Sequence, residues 1–189
     1  RYDATITLGD GAFPLIAQAE GKRARGFAVI RTGAAAAAPA ADVSIPELTS
    51  SRVGTAQLLA ADSRVALSSR QPDRSIAIAL TGGMADYDWG IDGRRFDLTQ
   101  PLNAAHEIRE GERVRLTITN DTEMWHPFHL HGHTYQHQGD GPRKDTSIIL
   151  PKQTLTVDFD ADNPGLWIAH CHNIYHGETG MMTVIGYRQ

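Results

Sequence analysis

Between residues 113 and 119, Val114, Leu116 and Ile118 alternate with Arg113, Arg115, Thr117 and Thr119. The same period of two recurs at 154–159, where Leu155, Val157 and Phe159 alternate with Thr154, Thr156 and Asp158. Side chains on a strand point to alternate faces, so each run has one apolar and one polar face and belongs in a half-buried sheet. Further short β-like runs at 75–80, 89–96, 128–136, 165–172 and 182–187 are separated by Gly, Pro and Asp, with a turn at Asp92-Gly93 inside the second. Several short strands with regular turn punctuation specify an all-β sandwich, here of roughly 110 residues.

Upstream, residues 3–8, 13–19 and 26–31 read as three strands, with turns at Gly9-Asp10-Gly11 and Glu20-Gly21-Lys22. Three strands are too few to close a sandwich, so they read as the end of a preceding domain. Residues 32–42 are nearly all Ala, with Gly33 and Pro39, and side chains this small cannot fill a core. Residues 43–74 are polar and mixed, with Leu58, Leu59, Val65 and Ala66 placed to share one face of a short helix. The expected division is therefore terminal strands over 1–32, a linker and connecting segment over 33–74, and a complete domain over 75–189.

Composition narrows the function classes. Hydrophobic residues make up 41% and charged residues 21% of the 189, which suits a folded chain rather than a disordered one. A net charge of -4 excludes the broad basic surface that general nucleic-acid binding needs. No stretch approaches the roughly 20 apolar residues of a membrane span, since the Ala-rich run is short and Pro39 interrupts it. The chain opens on Arg1 and Tyr2 without a basic-then-apolar leader, so a processed chain or a fragment is expected. Its one cysteine, Cys171, excludes both an internal disulfide and a Cys-x-x-Cys redox or zinc pair.

Against that cysteine stand nine histidines, and their placement is uneven. Four lie in His126-Pro127-Phe128-His129-Leu130-His131-Gly132-His133 and three in His170-Cys171-His172-Asn173-Ile174-Tyr175-His176. A single histidine is usually a satisfied core or surface residue, but that does not explain seven gathered around the only thiol. Imidazole and thiolate at close spacing are metal ligands. Strand parity separates them into two sets: His170 and His172 point one way and Cys171 the other, while His129 and His131 oppose His126. Two metal sites back to back across one sheet layer follow. One uses Cys171 and His126, and the loop beyond adds His176 and Met181. A thiolate, two imidazoles and a distant thioether make a blue-copper ligand set. Zinc also accepts thiolate and imidazole, but it leaves the thioether and the spare imidazoles without a purpose.

The two windows resemble the paired copper motifs in the last cupredoxin domain of multicopper oxidases, a family that includes laccases, cuprous oxidases and copper-resistance oxidases. Residues 13–33 resemble the closing strands of that family's middle domain, and Arg143-Lys144-Asp145-Thr146 the segment between the motifs. The resemblance implies a cupredoxin-like Greek-key β-sandwich. It assigns His126, Cys171, His176 and Met181 to a type 1 copper, His129 to a type 2 copper, and His131, His170 and His172 to a type 3 pair. It further implies that a reducing donor approaches His176 on an exposed loop, and that electrons pass through Cys171 to His170 or His172. Four such transfers reduce dioxygen to water.

Some expectations concern what departs from the family pattern. The family's oxygen-reducing cluster uses eight histidines, and His129, His131, His170 and His172 are four of them. The others belong to two His-x-His motifs of a first domain, which are therefore expected from a missing N-terminal cupredoxin domain, in cis or on another chain. Some bacterial relatives carry a proton-delivering acid directly after the second type 1 histidine. Gly177 stands there, and Glu178 follows as the candidate. His133 fits the motif as a structural residue, His106 and His137 are expected to face solvent, and Met182 is expected in the core with Val184. The resemblance implies phenols, aromatic amines or metal ions as donors, and a periplasmic or secreted location. Three other readings compete. A single-site cupredoxin carrier leaves His129, His131 and His172 idle. A copper nitrite reductase needs no histidine on both sides of Cys171. A hydrolase built on His129-x-His131-x-His133 leaves Cys171 idle.

Overall fold

The computed structural model describes residues 2–19, 22–49, 54–103 and 105–188. The chain divides into two compact units, Tyr2–Gly54 and Thr55–Gln189. In the first, strands β1 (Ala12–Gln18) and β2 (Arg25–Arg31) form an antiparallel hairpin that sets Ala12 opposite Arg31 and Gln18 opposite Arg25. Glu20 and Gly21 of the expected turn lie outside the described residues. Residues 3–8, expected as a strand, join no sheet. A strand's amides and carbonyls need a neighbouring edge, and no described residue offers one there. The Ala-rich run belongs to the same unit as the hairpin: Ala36 and Ala41 carbonyls accept from the guanidinium groups of Arg31 and Arg25. A segment with little side chain to bury is thus tethered through its backbone.

The second unit carries β3 (Arg74–Thr81), β4 (Gly90–Ile91), β5 (His106–Ile108), β6 (Arg113–Asn120) and β7 (His126–Leu130). It continues with β8 (Tyr135–His137), β9 (Arg143–Lys144), β10 (Thr146–Ile149), β11 (Thr154–Asp160), β12 (Leu166–Cys171), helix α1 (Ile174–Thr179) and β13 (Met182–Tyr187). One sheet has the order β4-β3-β6-β11-β8-β9 and the other β10-β7-β12-β13-β5. Together they make the β-sandwich that the strand pattern predicts, of the cupredoxin-like kind that the resemblance implies. Val114, Leu116 and Ile118 of β6 and Val157 and Phe159 of β11 turn inward with Ile76, Ile78 and Leu80 of β3. They meet Phe128 and Leu130 of β7 and Ala169, Cys171 and Ile185 of the other sheet in one core. Each large side chain fully buried there contributes about 1.5–3 kcal/mol.

Three local differences from the sequence reading have physical reasons. The expected run 128–136 is two strands, because Gly132 turns the chain between β7 and β8. Its φ is +69°, and a Cβ there would collide with the Trp167 ring. The expected helix over 58–66 is only a 3₁₀ turn at Ala56–Leu58. Leu58, Leu59 and Val65 remain exposed, and a short helix forms only when its apolar face finds a surface to cover. Strands β5 and β10 carry little alternation of their own. They exist because β13 and β7 offer edges to pair with, parallel in the first case and antiparallel in the second. Among the described residues, no helix is long and apolar enough to cross a membrane.

Candidate metal centre

Strands β7 and β12 are antiparallel neighbours in a register that sets His170 opposite His129 and Cys171 opposite Phe128. Cross-strand partners share a face, so Cys171 joins Phe128 and His126 on the core side while His170 joins His129 on the other. After β12 the chain turns into α1, capped by the Asn173 side chain on the Tyr175 amide, and His176 swings back over Cys171. Gly180 then ends the helix at φ +128°, where a Cβ would come within 2.8 Å of the Arg95 Cβ. Met181 enters the core there, its amide bonded to the His176 carbonyl and its carbonyl to the Cys171 amide, both at 3.0 Å.

On the inner face three ligand atoms converge. Cys171 Sγ lies 3.5 Å from His126 Nδ1 and 3.8 Å from His176 Nδ1, and the two nitrogens are 3.0 Å apart. A point equidistant from all three lies about 2 Å from each, the length of a metal–imidazole bond. All three residues are buried, as is Met181. The outer nitrogen of His126 is also fixed. Its Nε2 lies 2.7 Å from Thr122 Oγ1, whose proton goes to Asn120 Oδ1 at 2.8 Å. The hydroxyl therefore accepts from Nε2–H, which leaves Nδ1 unprotonated and facing Cys171. Burial, reinforced by His176, pushes His126 down to about 4, so the ring is neutral at physiological pH. Burial raises the Cys171 thiol to about 12, partly offset by a backbone hydrogen bond from Asn173. A metal must displace that proton, and the buried soft donor set suits copper with imidazole and thiolate ligands.

The outer face holds a second group. His129, His131 and His170 each present a nitrogen within 4.8 Å of the others, and His131 Nε2 lies 3.1 Å from His170 Nε2. His172 stands outside this group, but its ring is 5.6 Å from those of both His129 and His170. The ring nitrogens away from the cluster are committed to backbone oxygens. His129 Nδ1 donates to the Asp145 carbonyl at 2.7 Å and His170 Nδ1 to the Cys171 carbonyl at 2.9 Å. Each therefore turns an unprotonated Nε2 toward the cluster. Burial holds His170 below its usual range, and the surrounding imidazoles add to that. His131 and His172 are exposed, whereas His129 is buried.

The remaining predicted residues fall as follows. Glu178 is exposed on α1. Gly177, by contrast, is buried, and a Cβ there would lie 3.0 Å from the Cys171 carbonyl oxygen and 3.8 Å from His170 Nδ1, the nitrogen turned away from the cluster. His133 is buried with Nε2 2.7 Å from the Tyr187 hydroxyl and Nδ1 3.2 Å from the His131 carbonyl, a structural set of contacts. His106 and His137 do not face solvent as expected. Both are half-buried by pairing within sheets, His137 with Nε2 2.7 Å from Ser147 Oγ and His106 with Nε2 3.9 Å from Asp92 Oδ2. Met182 is only partly buried, because its place opposite His170 puts it on the outer face. The expectation that His176 rides on an exposed loop also fails: Ile174 and Tyr175 are exposed, but His176 is 3% exposed beneath Trp89. Sequence reasoning missed Trp89, Thr122 and Asn120. The last two sit just before the first histidine window, but Trp89 carries no local sign of its role.

The sequence pattern of the multicopper oxidase family matches residues 69–189. Multicopper oxidase MmcO of Mycobacterium tuberculosis is 42% identical over 191 residues, covering 99% of this chain and 37% of that protein. A copper resistance protein A homolog of Pseudomonas syringae pv. tomato is 39% identical over 116 residues, 59% of this chain and 19% of its own length. The chain thus spans well under half of either relative. Among solved structures, a multi-copper oxidase from Pediococcus acidilactici aligns with a TM-score of 0.57 at 25% identity, covering 66% of this chain and 28% of that one.

Proposed function

This chain belongs to the multicopper oxidase family, and from that premise we propose that it is the electron-accepting and cluster-completing segment of such an oxidase. The reading assigns His126, Cys171, His176 and Met181 to the type 1 copper. His129 goes to the type 2 copper, and His131, His170 and His172 go to the type 3 pair. Copper, when bound, supplies one-electron chemistry on the inner face and dioxygen reduction on the outer. The chain's own residues supply geometry, exclusion of water and a connection between the faces.

The observation that carries the reading is that connection. Cys171 Sγ belongs to the inner triad, while His170, the next residue, belongs to the outer group. An electron at the Cys171 sulfur has a covalent path along its own backbone to the His170 and His172 imidazoles. It has a second path through the hydrogen bond that His170 Nδ1 donates to the Cys171 carbonyl. Burial of the triad keeps bulk water from the thiolate. The backbone acceptors behind His129 and His170 hold their rings in the ligating tautomer.

The cluster ligands not found here would come from a preceding cupredoxin domain, in cis or on another chain. The donor would be a phenol, an aromatic amine or a metal ion, and the location periplasmic or secreted. A single-site carrier is the second reading, favoured by the completeness of the inner triad within this one chain. Anaerobic titration with copper(II), followed by visible absorption and EPR, tests the assignment. An intense blue band with a small parallel hyperfine splitting is expected, and in a separate aerobic run the isolated chain should take up no oxygen. A titration without that band overturns it. Oxygen uptake on adding the segment with the missing histidines separates the oxidase from the carrier.

A further inference from the structure

His176 is buried, so a donor in solution cannot touch the ligand ring through which electrons would reach the inner triad. What covers it is aromatic. The Trp89 ring stacks on His176 at 4.2 Å between centroids and 29° between planes, and meets His126 edge-on at 5.4 Å. Trp89 is itself 1% exposed, but its other side meets the Tyr87 ring edge-on at 6.4 Å, and Tyr87 is 38% exposed. An unbroken line of rings therefore runs from the surface to the triad.

Two features indicate that this line is held in place at a cost to the fold. The Trp89 Nε1–H is buried with no hydrogen-bond partner among the described residues, so polar satisfaction does not explain its position. Tyr87 has φ +50°, a backbone region that bulky residues avoid, and is kept there by Arg95 Nη2 donating to its carbonyl at 2.7 Å. Asp86 and Asp88, both exposed, flank the Tyr87 ring in sequence, and Asp88 also accepts from the Gly83 amide at 2.9 Å. Set against the one positive charge of Arg95 at the Tyr87 carbonyl, these two carboxylates leave a negative balance that favours a positively charged visitor.

We propose that Tyr87 and Trp89 form an aromatic relay that delivers electrons from a cationic one-electron reductant to His176. The proposal rests on the copper reading of the inner triad and names where its electrons come in. One electron leaves the reductant and would reduce a copper(II) ion held by the triad to copper(I); neither ring changes its bonds, and the Tyr87 hydroxyl keeps its proton.

The test has a metal-free and a copper-loaded arm. In the metal-free chain carrying Trp125→Phe and Trp167→Phe, which leave Trp89 as the one indole of the three, flash-generated tris(bipyridine)ruthenium(III) is expected to take one electron from Trp89 by way of Tyr87. The indole, lacking an acceptor at Nε1, is left as a radical cation. Its transient absorption is expected to vanish in Trp89→Phe and to rise several-fold more slowly in Tyr87→Leu. In the copper-loaded chain, anaerobic bleaching of the blue band by hexaammineruthenium(II) is expected to slow several-fold in Tyr87→Leu, with band position and potential unchanged. Tyr87→Phe, which keeps the ring, should restore the rate. Unchanged rates for Tyr87→Leu in either arm overturn the relay. A parent chain that never turns blue overturns the copper reading instead, and the metal-free arm still decides the relay.

Discussion

The two faces of the β7–β12 pair carry side chains that could hold a metal into opposite surroundings. On the inner face His126, Cys171, His176 and Met181 are enclosed by the core, stacked on by Trp89 and backed by Thr122 and Asn120. On the outer face His131 and His172 are exposed, and the His129 and His170 rings are oriented by hydrogen bonds to backbone oxygens, with the Thr146 hydroxyl also at His129 Nδ1. The difference shows two ways of preorganising ligands. The inner triad is held by packing, so its geometry is as stiff as the core that surrounds it. The outer group is held by ring tautomer and strand register, and leaves one side open for further ligands.

Breaking the inner face should have the largest effect. Cys171→Ser is expected to abolish the intense visible absorption with copper(II), since the band requires the thiolate; persistent colour would show that the inner triad is not the blue site. Phe128, opposite Cys171 and fully buried, supports that face through volume. Phe128→Ala should cost about 3–5 kcal/mol in urea unfolding, with copper affinity falling alongside stability.

A smaller effect is expected in the other sheet, where the two central strands β6 and β11 begin and end. Arg113, 3% exposed, pairs with Asp160 through Nε–Oδ1 at 2.7 Å and Nη2–Oδ2 at 3.2 Å. Asp160→Asn should cost about 2 kcal/mol, below the 3–5 of a fully buried pair, because the carboxylate side is 38% exposed. The Arg113 hydrogen bond holds the Asp160 carboxyl below the usual carboxylate range. Its folded pKa is therefore depressed, and its contribution is complete above the unfolded value near pH ~4 and lost as pH falls through the folded one. The stability gap between parent and Asp160→Asn should thus close on acidification below pH ~4; a gap that stays constant would contradict the pairing.

The outer face should show the smallest change in stability. His131→Ala removes an exposed ring, so unfolding should shift by no more than about 0.5 kcal/mol. The blue band should persist, while the copper bound without colour falls. Loss of the blue band in His131→Ala would mean that the faces are not separate, which would collapse the comparison.

Much of this arrangement can be read from strand parity alone. Alternation places His129 and His170 on one face and His126 and Cys171 on the other, because period two is a property of any extended chain and needs no knowledge of neighbours. The five-residue step from Cys171 to His176 reads as a loop in the sequence, but His176 lies buried in helix α1. Parity failed where a strand ended or a face was misjudged. Met182 follows Met181 by one residue and points to the outer face, and His106 and His137 are half-buried by edges that β13 and β11 supply. The residues that complete the inner site were not legible for a similar reason: Trp89 reaches His176 from a loop far away in sequence.

The sequence by itself therefore determined the candidate ligand types, their alternation along each strand and the single residue step that joins the two faces, since these follow from spacing and the geometry of an extended backbone. Only the tertiary structure decided which ligands are shielded and which are open, which nitrogen of each ring is available, and that His176 meets the surface through Trp89 and Tyr87. Those outcomes depend on packing and hydrogen bonds between segments distant in the chain, and no local pattern encodes them.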